Sequence, residues 1–196
     1  MSQPKFAVQL TADFYGANGT PKYNDIGLSL FAPHPHIVQG VFKEHRKQIG
    51  SDQVAGAQGV IVLTPSVTAE TVSNARDLLV MARFGVGYDS VDVKACTAAD
   101  VLVTITVGAV DRPVAEATIG WMIALSHNMR TKDMLVRTGQ WDERSKHMGR
   151  ELRDRTLGVI GFGGIGRQTA GLLRTFGLKE TLVFEDRKST RLNSSH

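Results

Sequence analysis

Short apolar runs alternate with polar, periodic stretches along most of this 196-residue chain. "KFAVQL" reads as a first strand. Between Thr11 and Pro35, Gly, Pro, Asn and His crowd together, and the segment reads as mostly loop. "IVQGVFKEHRKQIG", residues 37–50, reads as a helix. "GVIVL" is then a short buried strand, and "TAETVSNAR" a helix with Thr68 as its N-cap. "LLVMARF" is the next strand. Ser90 caps a helix over "VDVKACTAA", and "VLVTIT" follows as a further strand. Strand and helix alternating at this spacing predict a parallel sheet with helices on its faces, the last three strands adjacent or nearly so.

A different pattern begins at Gly108. Residues 112–137, within "VDRPVAEATIGWMIALSHNMRTKDMLVRTGQW", predict one long helix of roughly seven turns. Asp111 suits its N-cap, and Pro113 costs little in a first turn. Arg130, Lys132 and Arg137 suit the negative end of the helix dipole, and Gly139 can end the helix. The middle, "ATIGWMIAL", is apolar nearly all round, so it should be buried between layers or against another subunit. "DERSKHMGRELRDR" is a polar connection. "TLGVIGFGGIGRQTAGLLRTFG" then reads as strand, glycine turn and helix, with Gly177 as terminator and "TLVF" as the next strand. A domain boundary falls near Val107–Gly108: residues 1–107 make their own sheet, and residues 108–185 open a second domain.

Composition narrows the function classes. The chain is 42% hydrophobic and 21% charged, which is ordinary for a globular protein. Its formal charge is +4, but without residues 186–196 the balance is 20 basic to 18 acidic residues, dispersed along the chain. A nucleic-acid surface is not indicated. Cys96 is the only cysteine, which excludes an internal disulfide and fits a reducing cytosol. The longest strongly apolar run, "IGWMIAL", is far too short to span a bilayer, and no Cys/His cluster suggests a metal.

Gly161, Gly163 and Gly166 form G-x-G-x-x-G between an apolar strand and an amphipathic helix, the context in which this pattern binds a dinucleotide. Gly161 permits the tight turn. Gly163 lets the backbone approach a pyrophosphate. Gly166 lets the helix pack close to the strand. The helix N-terminus aims free N–H groups at the phosphates. A ribose-binding acid belongs about 20 residues further on, and either Glu185 or Asp186 can serve. Either would repel a 2′-phosphate, which favours NAD over NADP.

Three stretches together carry a more specific likeness: "ARFGVGYDSVDVKAC", "GAVDRPVAEATIGWMIAL" and "MGRELRDRTLGVIGFGGIGRQ". With "GVIVLTPSVTAETV", the chain resembles the D-isomer-specific 2-hydroxyacid dehydrogenases, in the D-3-phosphoglycerate dehydrogenase-like branch, over most of residues 57–185. The resemblance implies an α/β fold in two parts. Residues 1–107 would be the flavodoxin-like N-terminal part of a substrate domain, and residues 108–185 a truncated Rossmann NAD-binding domain. It also implies NAD as cofactor and a 2-hydroxy or 2-oxo acid as substrate. Gly164 and Ile165 would meet the pyrophosphate, Glu185 would be the ribose acid, and Val86 and Thr118 would lie near the nicotinamide side. The alternatives are packing for Val86 and a helix-backbone bond for Thr118. A homodimer through the helix at 112–137 is implied as well. Two departures stand out: Leu63 and Thr64 occupy the stretch where phosphoglycerate-specific members tend to carry an arginine, and Gly164 replaces a frequent basic residue. A phosphorylated substrate is therefore not implied.

The family's catalytic arginine, glutamate and histidine are expected beyond residue 185, so no residue of this chain is assigned as catalytic. His34, His36, His45 and His147 read as surface residues, and His127 as a packed or interface histidine. Arg83 reads first as a structural ion pair, with a substrate contact as the alternative. Residues 186–196, "DRKSTRLNSSH", resemble the in-frame translation of sequencing-adapter DNA and are expected to be a non-native tail, with a natural polar tail as the alternative. The chain is thus expected to be a fragment of an oxidoreductase. A corepressor-type NAD sensor of the same fold and a non-functional truncated product are the alternatives.

Overall fold

The computed structural model describes residues 4–185. The expectations for residues 186–196, including Asp186 as a ribose acid, lie outside them. The chain divides into two compact units, Met1–Val107 and Gly108–His196.

Unit 1 is built on a five-stranded sheet: β1 (Phe6–Leu10), β2 (Ile37–Val41), β3 (Gly59–Val62), β4 (Val80–Arg83) and β5 (Leu102–Thr104). The order is β2-β1-β3-β4-β5, and every pairing is parallel. This is the flavodoxin-like order. Helices α1 (Ala69–Val72) and α2 (Val93–Ala98) lie in the crossovers. β3 sits in the middle and is buried on both faces, which is why "GVIVL" reads as a continuous apolar run. Val60 and Val62 join one core cluster with Ile49, Val54, Val67, Met81 and Cys96. Ile61 and Leu63 join Leu10 and Phe14 in another, as the two-residue strand period requires.

Two local expectations in this unit are corrected. Residues 37–41 form β2, not a helix: Phe6 to Leu10 pair in register with Ile37 to Val41. β-branched Ile37, Val38 and Val41 suit a strand, Gly40 weakens a helix, and β1 offers an open edge. The chain after β2 is turns, from which Phe42 and Ile49 still reach the core. The cap of α2 is Asp92 rather than Ser90; its carboxylate accepts the Ala95 N–H at 2.9 Å. At α1, the Thr68 N–H donates to Thr71 Oγ1 at 3.0 Å.

Unit 2 contains α3 (Asp111–Ser126), α4 (Met129–Arg137), β6 (Thr156–Ile160), α5 (Gly164–Leu172) and β7 (Glu180–Phe184). β6 and β7 pair in parallel from Thr156↔Glu180 to Ile160↔Phe184. Gly177, with φ +67°, ends the short 3-10 turn that follows α5.

The single helix expected over 112–137 is two. Asn128 takes the left-handed conformation, with φ 53°, between α3 and α4. Asparagine tolerates this region better than most residues, and here its side-chain amide donates to the carbonyl oxygens of Met148 (3.2 Å) and His147 (3.4 Å). The Arg150 N–H donates to Ser126 O at 2.8 Å, satisfying a carbonyl at the end of α3. Gly149 lies so close to the His127 backbone that a Cβ there would fall inside 3.0 Å of it. The returning chain therefore occupies the place where the helix would have continued. The N-cap of α3 is Val110, not Asp111, whose side chain is turned to another use. Within this chain, "ATIGWMIAL" is not buried: Trp121 is 70% and Leu125 75% exposed.

Candidate functional site: the glycine turn of unit 2

β6 delivers the chain to Gly161, whose φ of +89° lies in the region that L side chains rarely adopt. Gly161 N–H donates to Phe184 O at 2.8 Å, tying the turn to the end of β7. Glu185, the next residue, therefore follows directly on the carbonyl that anchors the turn, and it is exposed. Gly163 is the N-cap of α5. A Cβ there would meet nothing within 4 Å, so the space in front of it is open. At Gly166 the opposite holds: a Cβ would collide with Gly161 O and stand 3.2 Å from Val159 Cγ1. The glycine at 166 is what lets α5 lie against β6. Its N-terminal N–H groups, including those of Gly164 and Ile165, face the turn without intrahelical partners, which is the arrangement that receives anions.

Two side chains complete the turn. The Arg167 Nε–H donates to Phe162 O at 2.9 Å, bracing the turn from within α5. The Asp111 carboxylate, from the start of α3, stands where a Cβ of Gly164 would go. A negative group at a helix N-terminus is stabilising. Asp111 was not foreseen there, because nothing in the sequence links residues so far apart.

Two other expected site residues fall one in each unit. Thr118 is half-buried on α3, and its hydroxyl donates to Val114 O at 2.8 Å, the helix-backbone alternative. Val86 is half-buried in the loop after β4 and belongs to unit 1. Arg83 makes no ion pair among the described residues, contrary to expectation. It bonds backbone carbonyls instead, Nη1 donating to Phe84 O at 2.5 Å, while its buried Nε is without a partner. No histidine among the described residues is paired with a carboxylate. No group of His, Cys, Asp and Glu among them could hold a metal ion, and no helix among them is long and apolar enough to cross a membrane.

The family model described as D-isomer specific 2-hydroxyacid dehydrogenase, catalytic domain, matches residues 32–190. D-3-phosphoglycerate dehydrogenase of Rattus norvegicus is 37% identical over 128 residues, which is 65% of this chain and 24% of that protein. Glyoxylate reductase of Thermofilum pendens is 36% identical over 121 residues, 60% of this chain and 36% of that protein. The chain thus spans well under half the length of these relatives. Among solved structures, D-lactate dehydrogenase from Aquifex aeolicus, complexed with NAD and lactic acid, superposes with a TM-score of 0.73 at 21% identity, covering 95% of this chain and 52% of that one. The TT0316 protein from Thermus thermophilus gives 0.72 at 23%, covering 96% and 58%. At these identities the superpositions show a shared fold.

Proposed function

The chain belongs to the D-isomer specific 2-hydroxyacid dehydrogenase family, and from that premise we propose that it serves an NAD-dependent oxidoreductase acting on the CH–OH group of a 2-hydroxy acid. Unit 2 is the coenzyme-binding part and unit 1 belongs to the substrate domain. The observation that carries this is the glycine turn. Its open space at Gly163, its positive φ at Gly161 and the free N–H groups of α5 fit a pyrophosphate. Glu185, exposed and next to the Phe184 carbonyl that anchors the turn, is suited to accept ribose hydroxyls and to repel a 2′-phosphate, which favours NAD. The A. aeolicus enzyme, whose structure holds NAD, has the same fold.

When bound, the nicotinamide supplies the hydride acceptor. The chain's own residues would bind and orient the coenzyme: Gly161, Gly163, Gly164, Ile165 and Gly166 at the phosphates, Glu185 at the ribose, and Val86 and Thr118 on the nicotinamide side. No residue of this chain is assigned as the general base. The exposed Trp121 and Leu125 on α3 support a homodimer formed through residues 112–137, since one chain leaves this apolar face uncovered.

Energy transfer from the tryptophans, Trp121 and Trp141, to bound NADH tests the coenzyme reading. Gly163→Val fills the open space with a side chain at a backbone conformation any residue adopts. It should weaken NADH binding at least tenfold, about 1.4 kcal/mol, with an unchanged circular dichroism spectrum. Equal affinity in the folded variant would refute the assignment.

A further inference from the structure

A cavity of about 490 Å³ opens in unit 2, where the chain returning through residues 148–155 crosses the end of α3. Hydrogen bonds fix its frame. Arg150 N–H donates to Ser126 O at 2.8 Å, and the Asn128 amide donates to Met148 O at 3.2 Å. Arg155 N–H donates to Leu152 O at 3.2 Å, and Arg155 O accepts from Lys179 N–H at 3.0 Å. Arg155 thereby stands directly before β6, whose first residue is Thr156.

Arg150 and Arg155 both line this cavity. The ion pairs of unit 2 take up Arg112, Arg137, Arg144, Lys146 and Arg153, and Arg167 bonds Phe162 O. Neither Arg150 nor Arg155 has an ion-pair partner or a side-chain hydrogen bond among the described residues. Their backbones are pinned, while their side chains are exposed and uncommitted. The carboxylate on the lining, Glu151, is paired with Arg153 at 3.2 Å. The end of α3 adds about half a negative charge, which two full guanidinium charges outweigh. Ser126 brings a hydroxyl donor to the same cavity, and Met148 an apolar wall.

We propose that this cavity binds a phosphoryl dianion, held by Arg150 and Arg155 with the Ser126 hydroxyl, as free phosphate or as the phosphate of a small organic ester. Guanidinium groups present paired N–H donors that match phosphoryl oxygens two at a time. Arg155 and Gly161 lie at opposite ends of β6, about 20 Å apart at the rise of a strand. The site is thus separate from the glycine turn and does not rest on the coenzyme reading.

Inorganic phosphate and phenyl phosphate are titrated into the ¹⁵N-labelled 196-residue chain at mildly alkaline pH, where both are dianions, and at constant ionic strength. Nitrate serves as the monoanion control. Phosphate should shift the amides of residues 126–128 and 148–155 saturably, with nitrate at least tenfold weaker. Tighter binding of phenyl phosphate identifies an ester whose organic part lies on Met148; equal or weaker binding identifies free phosphate. Arg150→Gln and Arg155→Gln, at exposed positions, should each weaken phosphate at least fivefold with an unchanged circular dichroism spectrum. The double variant should abolish saturable binding. Lys94→Gln, which removes an exposed charge from unit 1, should leave the affinity unchanged. No saturable shift, shifts confined to the glycine turn, nitrate binding as well as phosphate, or full affinity in the double variant would overturn the proposal. NADH shifts at the glycine turn report separately on the coenzyme reading, so either can fail alone.

Discussion

Adding one methyl group at Gly166 and one at Gly163 should have opposite consequences, although the two glycines stand three residues apart. At Gly166 the new Cβ falls on Gly161 O, well inside the 3.0 Å that real Cβ atoms keep, and 3.2 Å from Val159 Cγ1. Neither neighbour can step aside cheaply. The carbonyl is backbone, and Gly161 is pinned by its N–H bond to Phe184 O. Either α5 lifts from β6 or the turn opens. Overpacking of this kind costs about 1–3 kcal/mol, offset by up to about 1 kcal/mol from the better helix propensity of alanine. A net loss of about 1–2 kcal/mol lowers the melting temperature of a unit this size by roughly 5–15 °C. At Gly163 nothing lies within 4 Å and φ is −72°, so Gly163→Ala should stay within about 0.5 kcal/mol of the parent. Calorimetric melting of the three proteins decides. If Gly166→Ala melts with the parent, or Gly163→Ala loses more than Gly166→Ala, the account of how α5 meets β6 is wrong.

Glu185→Ser should narrow the preference for NADH over NADPH, read as the ratio of dissociation constants; an unchanged ratio would remove Glu185 from the ribose site. Burial favours the neutral acid of Asp13, but the Thr11 and Thr64 hydroxyls outweigh it and hold the carboxyl below its ordinary value of 3.8. Its contribution to stability is therefore present above that value and is lost as pH falls through the lower folded one. Urea melts of parent and Asp13→Asn should therefore differ most near neutrality and converge as pH falls below the lowered folded value; a gap that widens on acidification would reverse the sign. If the proposed dimer through residues 112–137 holds, Trp121→Glu should convert dimers to monomers in sedimentation equilibrium; dimers that persist unchanged would place the interface elsewhere.

What was legible in the sequence was local. "GVIVL" and "LLVMARF" announced central strands because both faces of those strands are apolar, and the glycine turn announced itself because its parts lie within six residues. The segment 37–50 misled because Phe42 and Ile49, which reach the core from turns, fall at spacings that mimic a helix stripe. The break at Asn128 depends on a chain segment twenty residues further on, whose carbonyls receive its amide. Long-range clusters were invisible for the same reason. Asp13 and Thr64 are 51 residues apart and meet only because β1 and β3 are neighbours in the sheet. Asp111 meets Gly164 only once α3 and α5 have packed together.

The central claim is that the N-terminal turn of α5 receives the coenzyme's phosphates. Titrating NADH into the ¹⁵N-labelled 196-residue chain tests it most directly. The largest amide shifts should fall on Gly161 to Arg167 and on Glu185, and they should vanish in Gly163→Val. Saturating NADH that leaves those amides unmoved, or that shifts only residues remote from the turn, would contradict it.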